Sequence, residues 1–359
     1  MDNEGPKKMN ILIVKLSAIG DVVHTLPSLA ALRKLYPDAH ITWVIEEAAL
    51  DIIKDNPYLD KIIISRRKQW IHSLIKRKHV IKTIKEIRSF IKVLRDRRYD
   101  IVIDFMGLFK SSLIVLLSGG KRKLGYDSMQ ELSGFFLNEK IYEDMNKHAV
   151  DRYLDFLLYL GADVEKPKFL ILIKKEDEEN VENLLRSNDI CVKEQFIVVS
   201  PTSFAGQTRL WENDKFAMLC DKISSCLNIK IIFTGDKKNG RIEDIQSMMT
   251  SPSVNLGGQT NLKELAYLCK LSVLIISPDS GPMHVAAAMG TPVIALFGPS
   301  DPKRTGPYGE RHTVIRKNLP CSPCFLKKCE TRACMRGISV DTVFGAIQEQ
   351  LVGKGDTFD

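Results

Sequence analysis

Short apolar runs recur along this chain with helix-period segments between them, and they come in two successions. Runs at 11–15, 41–45, 62–64 and 101–104 alternate with helical patterns such as 22–36 and a basic segment between 66 and 98. Runs at 196–200, 230–234, 273–277 and 292–297 alternate with helical patterns at 213–227, 262–269 and 282–289. Strands that are apolar throughout and separated by helices form parallel sheets, because each crossover needs a helix and the helices cover both faces. The expected fold class is therefore α/β, with one half over residues 1–165 and a second over 166–338. A crossing helix at 148–160 and a linker near 161–169 join them. A last helical pattern at 340–351, within the segment 339–359, is expected to pack back on the first half. The 359 residues, 44% of them hydrophobic, are enough for two cores of roughly 150 residues each.

No window approaches the ~20 apolar residues of a membrane-spanning helix, and the first residues lack the apolar core of a signal peptide. Eight cysteines in a chain of this length do not suggest a secreted disulfide scaffold, so a cytoplasmic protein with reduced thiols is expected. The formal net charge of +8 has one source: between Arg66 and Arg98 stand thirteen Lys or Arg against two acids, and the rest of the chain is net negative. Within that stretch Val80, Ile84, Ile87, Ile91 and Leu94 recur at helical spacing, which predicts an apolar stripe packed on the sheet with the cations facing out. Such a face is either simply solvated or a docking surface for something acidic, anionic lipid headgroups or a phosphorylated glycolipid.

Two strand-to-helix loops carry the chemistry. Ser277, Pro278, Asp279, Ser280, Gly281, Pro282, Met283 and His284 place an acid, an imidazole and a glycine-opened helix start at the carboxyl end of a strand. Helix N-termini there favour anionic phosphates. In the first half, Lys15 to Asp21 leads into a helix, with Gly20 allowing a tight turn and Asp21 at the helix start, where its plain role is an N-cap. The glycine pattern is not G-x-G-x-x-G, so a dinucleotide site is not expected there.

Residues 11–47 and 277–309, together with Tyr99 to Asp104, Gly107 to Ser111, His148 to Arg152 and Thr202 to Trp211, resemble the family 9 glycosyltransferases that add heptose to the lipopolysaccharide core. Glu46, Glu47 and the Arg66 to Trp70 cluster look most like its heptosyltransferase I branch, which acts on the inner Kdo sugar. The resemblance implies a GT-B fold of two Rossmann-like domains facing across a cleft, with ADP-heptose on the C-terminal domain and a Kdo-bearing lipid A on the N-terminal one. It implies inversion at the anomeric carbon, no required cofactor or metal, and work at the cytoplasmic face of the inner membrane.

Site residues follow from the same resemblance. Asp21 is the expected catalytic base, and Ser17, Gly20, Arg66, Arg67, Lys68 and Lys110 the acceptor-binding residues. Thr202, Ser203, Arg209, Asn239, Thr260, Asp279, Ser280, Gly281 and His284 are the expected donor-binding set. Arg209 stands where relatives carry a lysine before the tryptophan; it keeps the cation and adds a second phosphate bond. Asp236 and Asn239 follow Gly235 where an acid is common, residues 127–131 hold no Arg, and Met106 replaces a polar residue.

Cys321, Cys324, Cys329 and Cys334 could form a thiolate cluster for zinc or iron–sulfur, yet the spacing lacks the second C-x-x-C pair of zinc ribbons, and free or paired thiols are the expected state. Cys191, Cys220, Cys226 and Cys269 are expected in the core. Two other readings stay open at this level. One is a GT-B enzyme on another nucleotide sugar, by transfer or epimerisation; the other is a protein whose basic segment grips nucleic acid.

Overall fold

The computed structural model of the chain describes residues 8–128, 133–164, 166–203, 206–236 and 240–352. Two compact units divide at Leu172 and Ile173. The first holds β1 (Asn10–Val14), β2 (His40–Ile45), β3 (Lys61–Ile64), β4 (Ile101–Asp104), β5 (Arg122–Tyr126) and β6 (Glu139–Ile141), all parallel, in the order β3-β2-β1-β4-β5-β6. The second holds β7 (Phe196–Val199), β8 (Lys230–Phe233), β9 (Val254–Asn255), β10 (Leu274–Pro278), β11 (Val293–Phe297) and β12 (Thr313–Arg316), again parallel, in the order β12-β11-β10-β7-β8-β9. Counted from its own first strand, each sheet has the order 3-2-1-4-5-6 of the doubly wound Rossmann arrangement, and the direction of winding reverses between the first and fourth strands.

The apolar runs form strands because both sheet faces are covered. In the second unit Ile197, Val199, Ile231, Phe233, Leu274 and Ile276 point into one core, while Phe196, Val198, Ile232, Ile275, Val293 and Phe297 point into the other. Alternate residues serve opposite layers, as a period of two requires.

Three expectations need correction. The division falls at 172–173 rather than at 165, because the segment after the crossing helix Ala149–Tyr159 stays with the first unit, where the Asn56 side chain donates to Leu170 O (3.0 Å). The last helix, Val340–Val352, buries Val343, Phe344 and Ile347 in the second unit's own core, and Lys222 Nζ meets Asp341 Oδ1 at 2.6 Å. Its apolar face is taken up there. Cys220 and Cys269 are buried as expected, but Cys191 and Cys226 are exposed. Cys191 lies in the loop before β7, and Cys226 on the outer side of the last turn of the helix Asn213–Leu227.

The basic segment forms two helices, Arg67–Ile75 and Val80–Leu94. The expected apolar stripe packs only at its far end. Leu94 is fully buried and Ile87 and Ile91 half-buried, whereas Val80 and Ile84 stay 37% and 40% exposed. Among the described residues no helix is long and apolar enough to cross a membrane.

Candidate active site

Ligands of doubly wound sheets bind beyond the carboxyl ends of the strands where the winding reverses, because the two loops leaving there diverge and open a crevice. In the first unit these are the loops after β1 and β4, whose ends pair Val14 with Asp104. The helix Ile19–Leu35 begins three residues before the periodicity suggests, so Ala18 is the N-cap and Asp21 sits inside the first turn. That corrects the N-cap reading of Asp21. Its Oδ2 accepts from Ala18 N–H at 3.1 Å, across a loop with a cis Ser17–Ala18 peptide, and Thr25 Oγ1 donates to Asp21 O at 2.8 Å. A carboxylate at this point also meets the positive end of the helix dipole. Asp21 and Ser17 are half-buried and Gly20 is buried.

Two buried charged residues missed by sequence reasoning stand at the ends of β1 and β4, beside this loop. Lys15 is 3% exposed; its ammonium donates to Phe105 O (2.9 Å) and Tyr153 Oη (2.6 Å) and lies 4.3 Å from the centre of the Tyr153 ring. Burial pushes its pKa down, opposed by the carboxylates of Asp21 and Asp104. Asp104, equally buried, accepts from the N–H groups of Met106 (2.9 Å) and Gly107 (3.2 Å) and from Ser111 Oγ (2.9 Å). Burial pushes its pKa up, and those donors hold it back. Gly107 has φ +63°, a left-handed turn that glycine makes without steric cost. The available signal was position: a charge closing an otherwise apolar strand run is costly unless something there uses it.

The expected acceptor cations meet an acid. Glu46, at the end of β2 and 4% exposed, pairs with Arg67 (3.2 Å) and Lys68 (2.8 Å), while the exposed Arg66 stands 3.9 Å from Glu47. Lys110, in the helix Phe109–Ser118, belongs to the same group. Burial lowers its pKa, with Glu46 opposing, Arg67 and Lys68 adding to the fall, and Asp21 opposing. Four cations thus stand around two glutamates, a net positive pocket suited to an anionic ligand.

In the second unit the corresponding loops follow β7 and β10. Asp279, whose side chain is 4% exposed, pairs through Oδ2 with Arg209 Nη1 at 2.6 Å and accepts from Ser300 Oγ at 2.5 Å; Ser203 Oγ donates to Asp279 O at 3.1 Å. One carboxylate therefore fixes Arg209, from the turn Gln207–Arg209, and Ser300, from the loop after β11. Sequence reasoning named Arg209, Ser203 and Asp279 separately; the structure joins them through Asp279, which also holds Ser300, a residue it missed. The helix Gly281–Ala288 starts beside them with Ser280 as N-cap. Ser280 Oγ lies 2.9 Å from Ser277 Oγ, and His284, one turn in, is 6% exposed.

Thr202 lies on a glycine loop. At Gly235, φ is +153° and a Cβ would stand 2.8 Å from Thr202 Oγ1, so only glycine fits. Gly258 N–H donates to Gly235 O at 2.8 Å, which brings in the loop that ends at the half-buried Thr260. Asn239 lies outside the described residues.

Of the four C-terminal cysteines, Cys321, Cys324 and Cys329 lie on a loop and Cys334 in the short helix Ala333–Arg336 that follows it, and this segment braces the turn that carries Arg209. Leu326 O accepts from Thr208 Oγ1 (2.9 Å), and Arg332 donates to Gln207 O (3.3 Å), Leu210 O (3.0 Å) and Glu212 Oε1 (3.1 Å), on either side of Arg209. Cys321 and Cys329 are exposed, Cys324 is half-buried and Cys334 buried. Among the described residues no three His, Cys, Asp or Glu side chains are grouped to hold a metal ion.

Chemically the first unit offers a half-exposed carboxylate within electrostatic reach of a buried ammonium, and such a carboxylate can take a proton from a bound hydroxyl. The second offers a fixed guanidinium and a helix start, which together can hold a phosphate chain.

The family model described as glycosyltransferase family 9 (heptosyltransferase) matches residues 87–334. The lipopolysaccharide core heptosyltransferase OpsX of Haemophilus influenzae is 27% identical over 317 residues, 87% of this chain and 85% of that protein. The solved structure of a family 9 glycosyl transferase from Veillonella parvula matches with a TM-score of 0.82 at 25% identity, covering 96% of this chain and 98% of the other. The E. coli heptosyltransferase WaaC with ADP matches with a TM-score of 0.77 at 23% identity, covering 95% of this chain and 100% of the other.

Proposed function

The chain belongs to glycosyltransferase family 9, a GT-B enzyme family, and from that membership we propose that it transfers heptose from ADP-heptose to the Kdo region of a lipopolysaccharide precursor. The observation that supports the residue assignments is that Asp21 and the Arg209–Asp279 pair stand on loops leaving the equivalent winding-reversal points of two units with the same topology.

In this scheme the acceptor hydroxyl attacks the anomeric carbon while Asp21 takes its proton. The bond from that carbon to the ADP oxygen breaks, and ADP leaves with the electron pair. Attack opposite the leaving group inverts the centre. Arg209 and the N–H groups opening the helix Gly281–Ala288 take up the charge that develops on the diphosphate, the role fixed donors fill best because they need no reorganisation. Thr202, Ser203, Asn239, Thr260 and His284 hold the remainder of the donor. Asp279 serves by holding Arg209 and Ser300. Ser17, Gly20, Arg66, Arg67, Lys68 and Lys110 hold the acceptor, whose own acids displace Glu46 and Glu47 from the cations. No metal or other cofactor takes part, and the enzyme works at the cytoplasmic face of the inner membrane.

The acceptor is tested by pairing ADP-heptose with Kdo-lipid A in one reaction and with the already heptosylated acceptor in another. Mass spectrometry should show one added heptose in the first and none in the second. Transfer to the second alone would overturn the inner-Kdo assignment and leave heptosyl transfer standing.

A further inference from the structure

The helices Arg67–Ile75 and Val80–Leu94 pack on one another as a hairpin, turned by Arg77 and His79 in left-handed backbone (φ 51° and 54°). Every residue from 71 to 82 except Ser73 is exposed. Ile71 and Leu74 are 43% and 39% exposed, and Ile75 and Ile81, on either side of the turn, are each 74% exposed. Lys76, Arg77, Lys78 and Lys82 surround them, and no acid occurs between residues 61 and 85. An apolar tip inside a cationic collar is unfavourable in water and fits one surface well: an anionic bilayer, where isoleucines enter the hydrocarbon boundary and lysine heads stay at the lipid phosphates.

Other partners fit less. A second copy docking through the same hairpin would bring the same positive charge and be repelled. A polynucleotide would use the cations but has no place for Ile75 and Ile81. The stretch also lacks a free stacking aromatic, since Trp70 is packed on Phe90 (5.3 Å between rings) and donates to Glu86 at 3.0 Å. We propose that this hairpin docks the enzyme on anionic membrane lipid by inserting Ile75 and Ile81, with the collar cations at the headgroups. The proposed function supplies only the reason a membrane-borne acceptor makes such docking useful.

The test is cosedimentation of the full chain with phosphatidylethanolamine vesicles, with and without phosphatidylglycerol. The parent should bind the anionic vesicles and not the neutral ones. Ile75→Asp with Ile81→Asp should weaken binding by about tenfold or more, and Lys76→Ser with Lys78→Ser and Lys82→Ser by about fivefold per charge. All these side chains are exposed, so unchanged circular dichroism and Tm are expected. Tryptophan emission of an Ile81→Trp variant should move to the blue on anionic vesicles. Unchanged binding by the double Asp variant, or an unshifted Ile81→Trp emission, would overturn insertion, and salt-sensitive binding to polynucleotide in place of vesicles would assign the hairpin to nucleic acid. Transfer to a deacylated, water-soluble acceptor should run at the parental rate in the double Asp variant. If the parent itself fails to transfer, the enzymatic reading falls while the vesicle result stands by itself.

Discussion

Asp21→Asn should lower turnover by roughly 10²–10⁴-fold, the usual contribution of a positioned base, while leaving ADP affinity close to the parent's. The amide keeps the size of the carboxyl group, and its oxygen can still accept from Ala18 N–H, so the first turn of the helix survives. What it loses is the ability to take a proton. ADP affinity by calorimetry and ADP release by a coupled assay separate the two effects. Asp21 is the candidate because it combines partial exposure with a place at the winding-reversal point; Asp104 nearby is 1% exposed and occupied by three donors. A variant that turns over at the parental rate would remove Asp21 from the mechanism.

Arg209→Ala should weaken ADP binding by roughly 10- to 150-fold and also lower Tm. Two losses add. The diphosphate loses a charge-assisted donor, worth about 1.5–3 kcal/mol. Asp279 is left as a nearly buried carboxylate without its cation; breaking a fully buried pair costs about 3–5 kcal/mol, and less here because Arg209 is 27% exposed. Arg209→Lys should recover most of the stability and only part of the affinity, since an ammonium can pair with Asp279 but does not present the guanidinium's two parallel bonds to phosphate. Calorimetry with ADP and thermal unfolding of the two variants check this. Unchanged ADP affinity in Arg209→Ala would place the diphosphate elsewhere.

The inner strands were legible because strands buried on both faces are apolar without interruption, and the loops were legible because glycine, proline and acids cluster at their ends. Polar and very short strands were not. β5, one strand in from the sheet edge, reads Arg122-Lys123-Leu124-Gly125-Tyr126 and the edge strand β9 is only Val254-Asn255, so neither carries an apolar run to detect, whereas the edge strand β3 does. The two successions of strands and helices were legible, and the family resemblance implied one Rossmann-like arrangement in both, but the full strand order of each sheet was not, since it depends on pairing and not on residues. Among the candidate site residues, chain chemistry singled out Asp21 and Asp279 and the family resemblance added Arg209, but neither gave a view of what they touch. Lys15 on Phe105 and Tyr153, Glu46 among the cations and Ser300 on Asp279 are relations between residues well apart in sequence, which the fold brings together. The apolar stripe of the basic segment had the right period, but period does not say how far along a helix its partner extends.

The central claim is heptosyl transfer from ADP-heptose, and the most direct measurement follows both products in one reaction with a Kdo-lipid A acceptor. Mass spectrometry should find one heptose added to the acceptor for each ADP released. An unchanged acceptor beside an isomerised donor, or ADP released with free heptose and no glycosylated acceptor, would contradict it.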